Sequence, residues 1–325
     1  MTGFKWPRLK GKMNPTPLRV STMTVTGHLG AIPDRKRLFD ANLVIPYWQI
    51  EQGIIKIEHE GQRKGICTED ILHTSTKTKS RFFNQSSLVF RFLLDDGHWK
   101  ETNIKLFKDG GFQMTGISSE DMARTAIIRF LSQHQHNDLW TNETGAQSRP
   151  FLRTFQVCMM NSDYNIGKSI RRDRLYKILV ETYGLWSSFE PTIYQGVNTK
   201  FFWNKYRPAA APPGICCCPM PCEGDGNGYS IGKCKKITIS PFRTGSIIVT
   251  GAQKLEQLHD AYAFINGVLK THAEDVLRDE PPETTTAADN KVSRKKVIAL
   301  PTTPDVILRQ KMRASPRNVV RLAPQ

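Results

Sequence analysis

Nowhere in the 325 residues is there an apolar run of about 18 residues, the length that a membrane-crossing helix needs. The start, Met1 to Arg19, is basic and proline-containing without an apolar stretch, so no secretory signal is expected either. Both absences point to a soluble protein in a reducing, intracellular compartment, with no membrane partner. Catalytic signatures are scarce as well. The chain has no G-x-x-x-x-G-K-[ST] phosphate loop, no H-E-x-x-H helix and no P-C-x-x-C motif of a deaminase zinc site. His134 and His136 stand beside an expected helix end, where a solvated cap is the simpler reading, and Cys67 and Cys158 have no base near them in sequence. An enzyme is not expected.

Acid is the other shortage: 30 Asp and Glu face 46 Lys and Arg, a net charge of +16. The excess sits at the ends. Met1 to Arg19 carries Lys5, Arg8, Lys10, Lys12 and Arg19 with no acid, and Lys291 to Gln325 carries nine basic residues against Asp305 alone, which leaves the stretch between them close to neutral. Such arms either aid solubility or add sequence-independent, salt-sensitive affinity for phosphates.

What the chain does have is an internal repeat. Phe107-Lys108-Asp109-Gly110 followed by Thr115-Gly116 recurs as Phe242-Arg243-Thr244-Gly245 followed by Thr250-Gly251, every position displaced by 135. Strand-prone runs precede the first copy, Ser87 to Leu94 and Asn103 to Phe107, split by the turn signal Asp95-Asp96-Gly97. Ser118-Ser119-Glu120-Asp121 then starts a helix whose apolar positions are Met122, Ala126, Ile127, Phe130 and Leu131. After the second copy, Gln253 to His272 places Leu258, Tyr262, Ile265 and Leu269 on one helical face. Upstream, Leu18 to Thr26 and Arg153 to Met160 read as strands. Helices are expected after them, weakly over Arg35 to Asn42 and strongly over Ile166 to Tyr183. The order strand, helix, several strands, helix occurs twice, which predicts an α+β fold with helices on one sheet face and the other face free.

These residues resemble the TATA-box-binding protein family. Ser187-Ser188-Phe189-Glu190-Pro191 is similar to its S-S-Y-E-P, Ser246-Ile247-Ile248-Val249-Thr250-Gly251-Ala252 to its K-I-V-L-T-G-A, and Val20-Ser21-Thr22 to the V-S-T of its first strand. The likeness runs from about Leu18 to His272 apart from two insertions, and the insertions are more like the divergent homologues of large DNA viruses. It implies a saddle of two pseudo-symmetric repeats, each a curved antiparallel sheet with helices on the convex face. The expected layout is a basic arm over 1–17, repeats over 18–148 and 149–278 with insertions at about 51–85 and 204–236, and a disordered basic tail over 279–325.

The resemblance also implies roles. The family's sheet meets the minor groove of DNA, with aromatic wedges entering base steps. Phe107 and Phe242 match wedge positions, Tyr194 matches the second wedge of the second repeat and Leu88 its counterpart in the first. Thr115 and Thr250 match groove-facing threonines. Thr24 and Met159 stand where the family has central asparagines, so reading of the central base pairs is expected to be weak. Lys108 and Arg243 beside the wedges, and Lys200 at the place of an Arg that contacts the DNA backbone, are candidate phosphate contacts or plain surface charges. Glu190 falls in the loop that holds the B-type initiation factor, although Thr192 replaces a following Glu.

One insertion has chemistry of its own. Cys216, Cys217, Cys218, Cys222 and Cys234 lie among glycines. In a reducing compartment such thiols suit tetrahedral Zn²⁺ bound by Cys216, Cys218, Cys222 and Cys234, or else remain a free-thiol loop. The functional expectation is a factor that binds and bends AT-rich promoter DNA and recruits a B-type initiation factor and RNA polymerase, in a host nucleus or a viral factory. The alternative is an interaction scaffold, or non-specific DNA binder, that kept the fold without specific TATA reading.

Overall fold

A computed structural model describes residues 13–72, 84–220 and 222–278, together with the backbone of two short strands at 298–299 and 320–321. The basic arm to Lys12 and nearly all of the tail lie outside the described residues. The strands are β1 (Arg19–His28), β2 (Ile32–Pro33), β3 (Gly53–His59), β4 (Gln62–Gly65), β5 (Gln85–Leu93), β6 (Trp99–Phe107), β7 (Gly111–Ile117), β8 (Trp140–Thr141), β9 (Thr154–Asn165), β10 (Ser169–Ile170), β11 (Ser187–Ser188), β12 (Asn198–Trp203), β13 (Lys235–Pro241), β14 (Ser246–Ala252) and β15 (Leu277–Arg278). The helices are α1 (Arg35–Ala41), α2 (Thr68–Leu72), α3 (Glu120–Gln133), α4 (Arg172–Glu181), α5 (Leu255–Thr271) and α6 (Ala273–Val276). The fold class is α+β.

The described chain falls into two compact units, residues 24–156 and residues 13–23 with 157–278. The sequence assigned β1 wholly to the first repeat, yet its first half packs with the second unit. Arg19 donates twice to Asp163, at 2.9 and 3.1 Å, and Ser21 Oγ donates to the Asn161 carbonyl at 3.0 Å.

In the first unit the strands run β7-β6-β5-β3-β4, all antiparallel. Alternation along β5 sends Ser86, Leu88, Phe90 and Phe92 to one face, fully buried. There α3 lays down Ala123, Ala126, Ile127 and Phe130, and the Phe130 ring meets Phe90 edge-on at 5.7 Å. Ser119 caps α3 by accepting from the Met122 N–H, as the Ser-Ser-Glu-Asp signature predicts.

In the second unit the order is β11-β12-β13-β14-β9, again antiparallel. Here α5 buries Leu258, Ala261, Ile265, Val268 and Leu269 over Ile237, Ile239, Ile247 and Val249. The helix expected over Ile166 to Tyr183 is shorter than its apolar pattern suggests. Gly167 turns at φ 71 and Ser169–Ile170 pair with β15, so Ile166 and Ile170 reach the core from a turn and a strand, and only residues 172–181 are helical.

The repeat extends further than its motif. Asn103 faces Thr115 and Thr238 faces Thr250, so the two hairpins share a register at the offset of 135. Outside the hairpins the offset is 137: Ile32 pairs with Thr141 as Ser169 pairs with Arg278, and α1 starts at Arg35 as α4 does at Arg172.

Candidate nucleic-acid interface

Each unit has a sheet face opposite its helices, and its residues follow from strand parity. In the second unit β12 presents Lys200, β13 Thr238, β14 Ile248 and Thr250, and β9 Met159, Asn161, Asp163 and Asn165, all at least partly exposed. Pairing Lys200 with Thr238, Thr238 with Thr250 and Thr250 with Asn161 draws one polar row across the sheet. Lys200 Nζ donates to Thr238 Oγ1 at 2.8 Å and lies 5.9 Å from the Trp186 ring centroid. Burial, and then the nearby Lys236 charge, hold the Lys200 pKa below the usual lysine value. Asn161 Nδ2 donates to Thr22 Oγ1 at 3.1 Å. Asp163, an acid on this face, is covered by Arg19.

The aromatic end of this face is built by its turns. Gly245 closes the β13–β14 turn at φ 81, its N–H donating to the Phe242 carbonyl at 3.0 Å. The Glu190 carbonyl accepts from the N–H groups of Ile193 and Tyr194, a turn that delivers Tyr194 to Phe242, and the two rings meet at 5.7 Å and 68°. Arg172, at the start of α4, donates to the backbone and side-chain oxygens of Gln195 and so fixes the turn from below. Gly196 makes the pair possible, because a Cβ there would lie 2.9 Å from the Tyr194 ring and 3.1 Å from that of Phe242. Tyr194 stays 41% exposed and the Glu190 side chain is exposed beside it.

In the first unit Phe107 ends β6 before the same turn, with Gly110 at φ 88, and Thr115, Gln113, Lys105 and Asn103 share its face. Thr24 lies half-buried on β1 and Lys108 is exposed in the turn, as Arg243 is in the other unit. Leu88 does not belong to this face. It is fully buried under α3, because strand parity puts it with Phe90 and Phe92, so it cannot press on a base step. The residue across from Phe107 is Gln85, whereas Gly196 occupies the corresponding place beside Phe242.

This face is also not free along its whole length. Val89 and Arg91 point to the same side as Phe107 but are 8% and 5% exposed. The first insertion and the segment just before it roof them. Tyr47, Ile55, Cys67 and Ile71 form an apolar cluster over Val89, and Arg91 donates to the Tyr47 and Gln49 carbonyls at 3.0 and 2.8 Å while pairing with Glu101. Asp70 pins the outer part: it accepts from the Cys67 N–H and thiol, and Lys56 and Arg63 lie 3.1 and 2.8 Å away. Burial works to raise its pKa, but these hydrogen bonds and cations outweigh burial and hold it below the usual carboxylate value. A carboxyl with a depressed folded pKa stabilises above its unfolded pKa of about 4 and loses that contribution as pH falls through the folded value. Amides in residues 53–72 should therefore lose exchange protection below about pH 4, and Asp70→Asn should remove that pH dependence, read by hydrogen exchange across pH 2.5 to 6.

No family model matches the chain. A protein of Acanthamoeba polyphaga mimivirus described as TATA-box-binding protein-like is 26% identical over 280 residues, 80% of this chain and 67% of that protein. The chain is thus similar, over most of its length, to a viral TATA-box-binding-protein-like protein. Among solved structures, Methanococcus jannaschii TBP shares 15% identity over 80% of this chain and 99% of that one, with a TM-score of 0.41.

Within this chain the strand register revises two sequence assignments. The offset of 137 makes Asn161, and not Met159, the equivalent of Thr24, so an asparagine does stand on the face of β9. Met159 is exposed beside it. Motif alignment without gaps missed Asn161 because the offset changes from 137 to 135 within each repeat. By the hairpin register, Tyr194 precedes Gly196 as Phe83 precedes Gln85, so the first-repeat counterpart of Tyr194 falls on Phe83, outside the described residues.

Two further features stand apart from this face. Cys216, Cys218, Cys222 and Cys234 place their sulfurs within 4.8 Å of one another, a group that could hold a metal ion, while Cys217 is exposed outside it. Gly228-Tyr229-Ser230-Ile231-Gly232 has the G-x-S-x-G spacing of a hydrolase elbow, but it lies in the loop before β13 and not at a strand-to-helix turn, so the spacing alone carries no catalytic reading.

Proposed function

We propose that the protein binds double-stranded, AT-rich promoter DNA in the minor groove, bends it, and acts in transcription initiation. The observation that carries the reading is the exposed Tyr194 packed on half-buried Phe242 at the end of an open sheet face, a wedge of the shape that unstacks base steps. Phe107 serves as the other wedge. Thr24, Met159, Thr115, Thr250 and Asn161 lie on the groove floor, and Lys108, Arg243 and Lys200 reach phosphates. Glu190, exposed on the turn that holds Tyr194, recruits a B-type initiation factor-like protein, and RNA polymerase follows. The work is done where promoters are transcribed, in a host nucleus or a viral factory, and requires no catalytic step. A structural Zn²⁺ in the four-cysteine loop accompanies this reading without contributing to the DNA contact.

A second reading, a scaffold without specific DNA recognition, is favoured by the roof over Val89 and Arg91. Binding of the full chain to TATA-containing and scrambled duplexes from 50 to 300 mM salt separates the two. Promoter binding expects a preference of at least about 10-fold that survives at the higher salt, since specific contacts outlast counterion release. Equal affinities that fall together with salt would sink the proposal.

A further inference from the structure

The sulfur geometry of the second insertion points to a tetrathiolate zinc centre, and we propose that Cys216, Cys218, Cys222 and Cys234 bind one Zn²⁺ that locks the loop between β12 and β13 onto the start of α5. Zinc–sulfur bonds of about 2.3 Å at tetrahedral angles separate neighbouring sulfurs by about 3.8 Å. Here Cys216 and Cys222 lie 3.5 Å apart, Cys218 and Cys222 3.8 Å, Cys218 and Cys234 3.4 Å, and Cys216 and Cys234 3.9 Å. Disulfides would instead draw the sulfurs into bonded pairs at about 2.05 Å.

One neighbour suits thiolates: Asn204 Nδ2 lies 3.7 Å from Cys234 Sγ, a donor aimed at sulfur that carries negative charge as a ligand. Each thiol gives up its proton on coordination and no electron moves, so four thiolates around Zn²⁺ leave the centre with a charge of −2. Lys205, Arg207, Lys233 and Lys235 flank the ligands in sequence.

The loop needs such a staple. Among the described residues, 204–220 and 222–234 contain no helix or strand of their own and expose Tyr206, Met220 and Ile231 at 61, 81 and 75%. Backbone bonds tie them to the sheet at Gly214 and Gly224, whose carbonyls accept from the Phe202 and Lys236 N–H groups at 2.9 and 2.8 Å. Gln257, fully buried in the first turn of α5, donates to the Asn227 carbonyl at 2.7 Å, and Tyr229 packs on Trp203 with ring centroids 5.3 Å apart. Gly228 lies so close to Trp203 that a Cβ would fall 2.3 Å from the ring. A tetrahedral ion joining three ligands of the loop to Cys234, next to β13, closes this segment where apolar burial does not.

The inference does not depend on DNA binding, and its test reads metal directly. Full-length protein purified without added metal is expected to carry one zinc per chain by elemental analysis and to release it to a mercurial reagent. Cobalt exchange should give the visible ligand-field bands and sulfur-to-cobalt charge transfer of a tetrahedral thiolate site. Cys217→Ser should keep the metal, Cys218→Ser should lose it, and a strong chelator should open residues 204–234 to protease. Absence of metal with a mass lowered by disulfide formation, iron in place of zinc, or loss of metal in Cys217→Ser would overturn the assignment.

Discussion

Replacing Tyr194 and Phe242 together by Ala is expected to lower affinity for an AT-rich duplex by about 100-fold and to abolish the bend. Stacking of a base on an aromatic ring contributes about 1–3 kcal/mol, and 1.4 kcal/mol is a factor of ten in affinity, so two rings acting on one step reach that size. The rings are also coupled: their centroids lie 5.7 Å apart, and each removes water from the other. The single variants should therefore each cost more than half the effect of the double, and a double-mutant cycle by fluorescence anisotropy measures that coupling. Gly196→Ala should weaken binding without touching DNA, because its Cβ displaces both rings. An unchanged bend angle by energy transfer across the duplex in the double variant would remove these rings from the wedge.

The two units are alike in their hairpins and unlike in what lies on their open faces. In the second, Lys200, Thr238, Thr250 and Asn161 form an uncovered polar row. In the first, register places Val89 where the second has Lys200, and the insertion buries it. The usable surface of the first unit is thus concentrated near Phe107, Lys105, Gln113 and Thr115. Any contact with DNA is expected to be strongest through the second unit, which gives a pseudo-repeated protein a preferred orientation on its site.

Much of this was legible in the sequence. The constant offset from Phe107 to Phe242 announced the duplicated hairpin, since φ > 0 at Gly110 and Gly245 is a backbone demand that the chain meets with the same residue twice. The Ser119 cap and the apolar stripe of α3 were readable for the same local reason. Leu88 was misassigned because strand parity is set by pairing with β6, and one residue of register moves a side chain to the other face. Asn161 was missed because the offset changes within the repeat. The roof could not be foreseen at all: Arg91 and Glu101 look like surface charges in sequence, and only tertiary packing brings Tyr47 and Thr68 over them.

That buried pair supports the other large prediction. Glu101 Oε1 accepts from Arg91 Nη2 at 2.9 Å, and Oε2 accepts from Thr68 Oγ1, which in turn accepts from Tyr47 O–H, so a single carboxylate ties the sheet, α2 and the segment before β3 together. Removing it strands a guanidinium that is 6% exposed, and breaking a buried pair by one partner costs about 3 kcal/mol or more. Glu101→Ala should therefore raise amide exchange in residues 45–58 by on the order of 100-fold, whereas α5 in the other unit keeps its protection. Replacing both partners, Arg91→Met with Glu101→Leu, should restore most of the protection, because no charge is then left without a partner. If the single variant left the exchange of residues 45–58 unchanged, the roof would have to be held by the Val89 cluster alone. In the expected case Glu101→Ala frees the distal part of the first sheet face, and the DNA preference of the variant measures how far that roof limits the first unit.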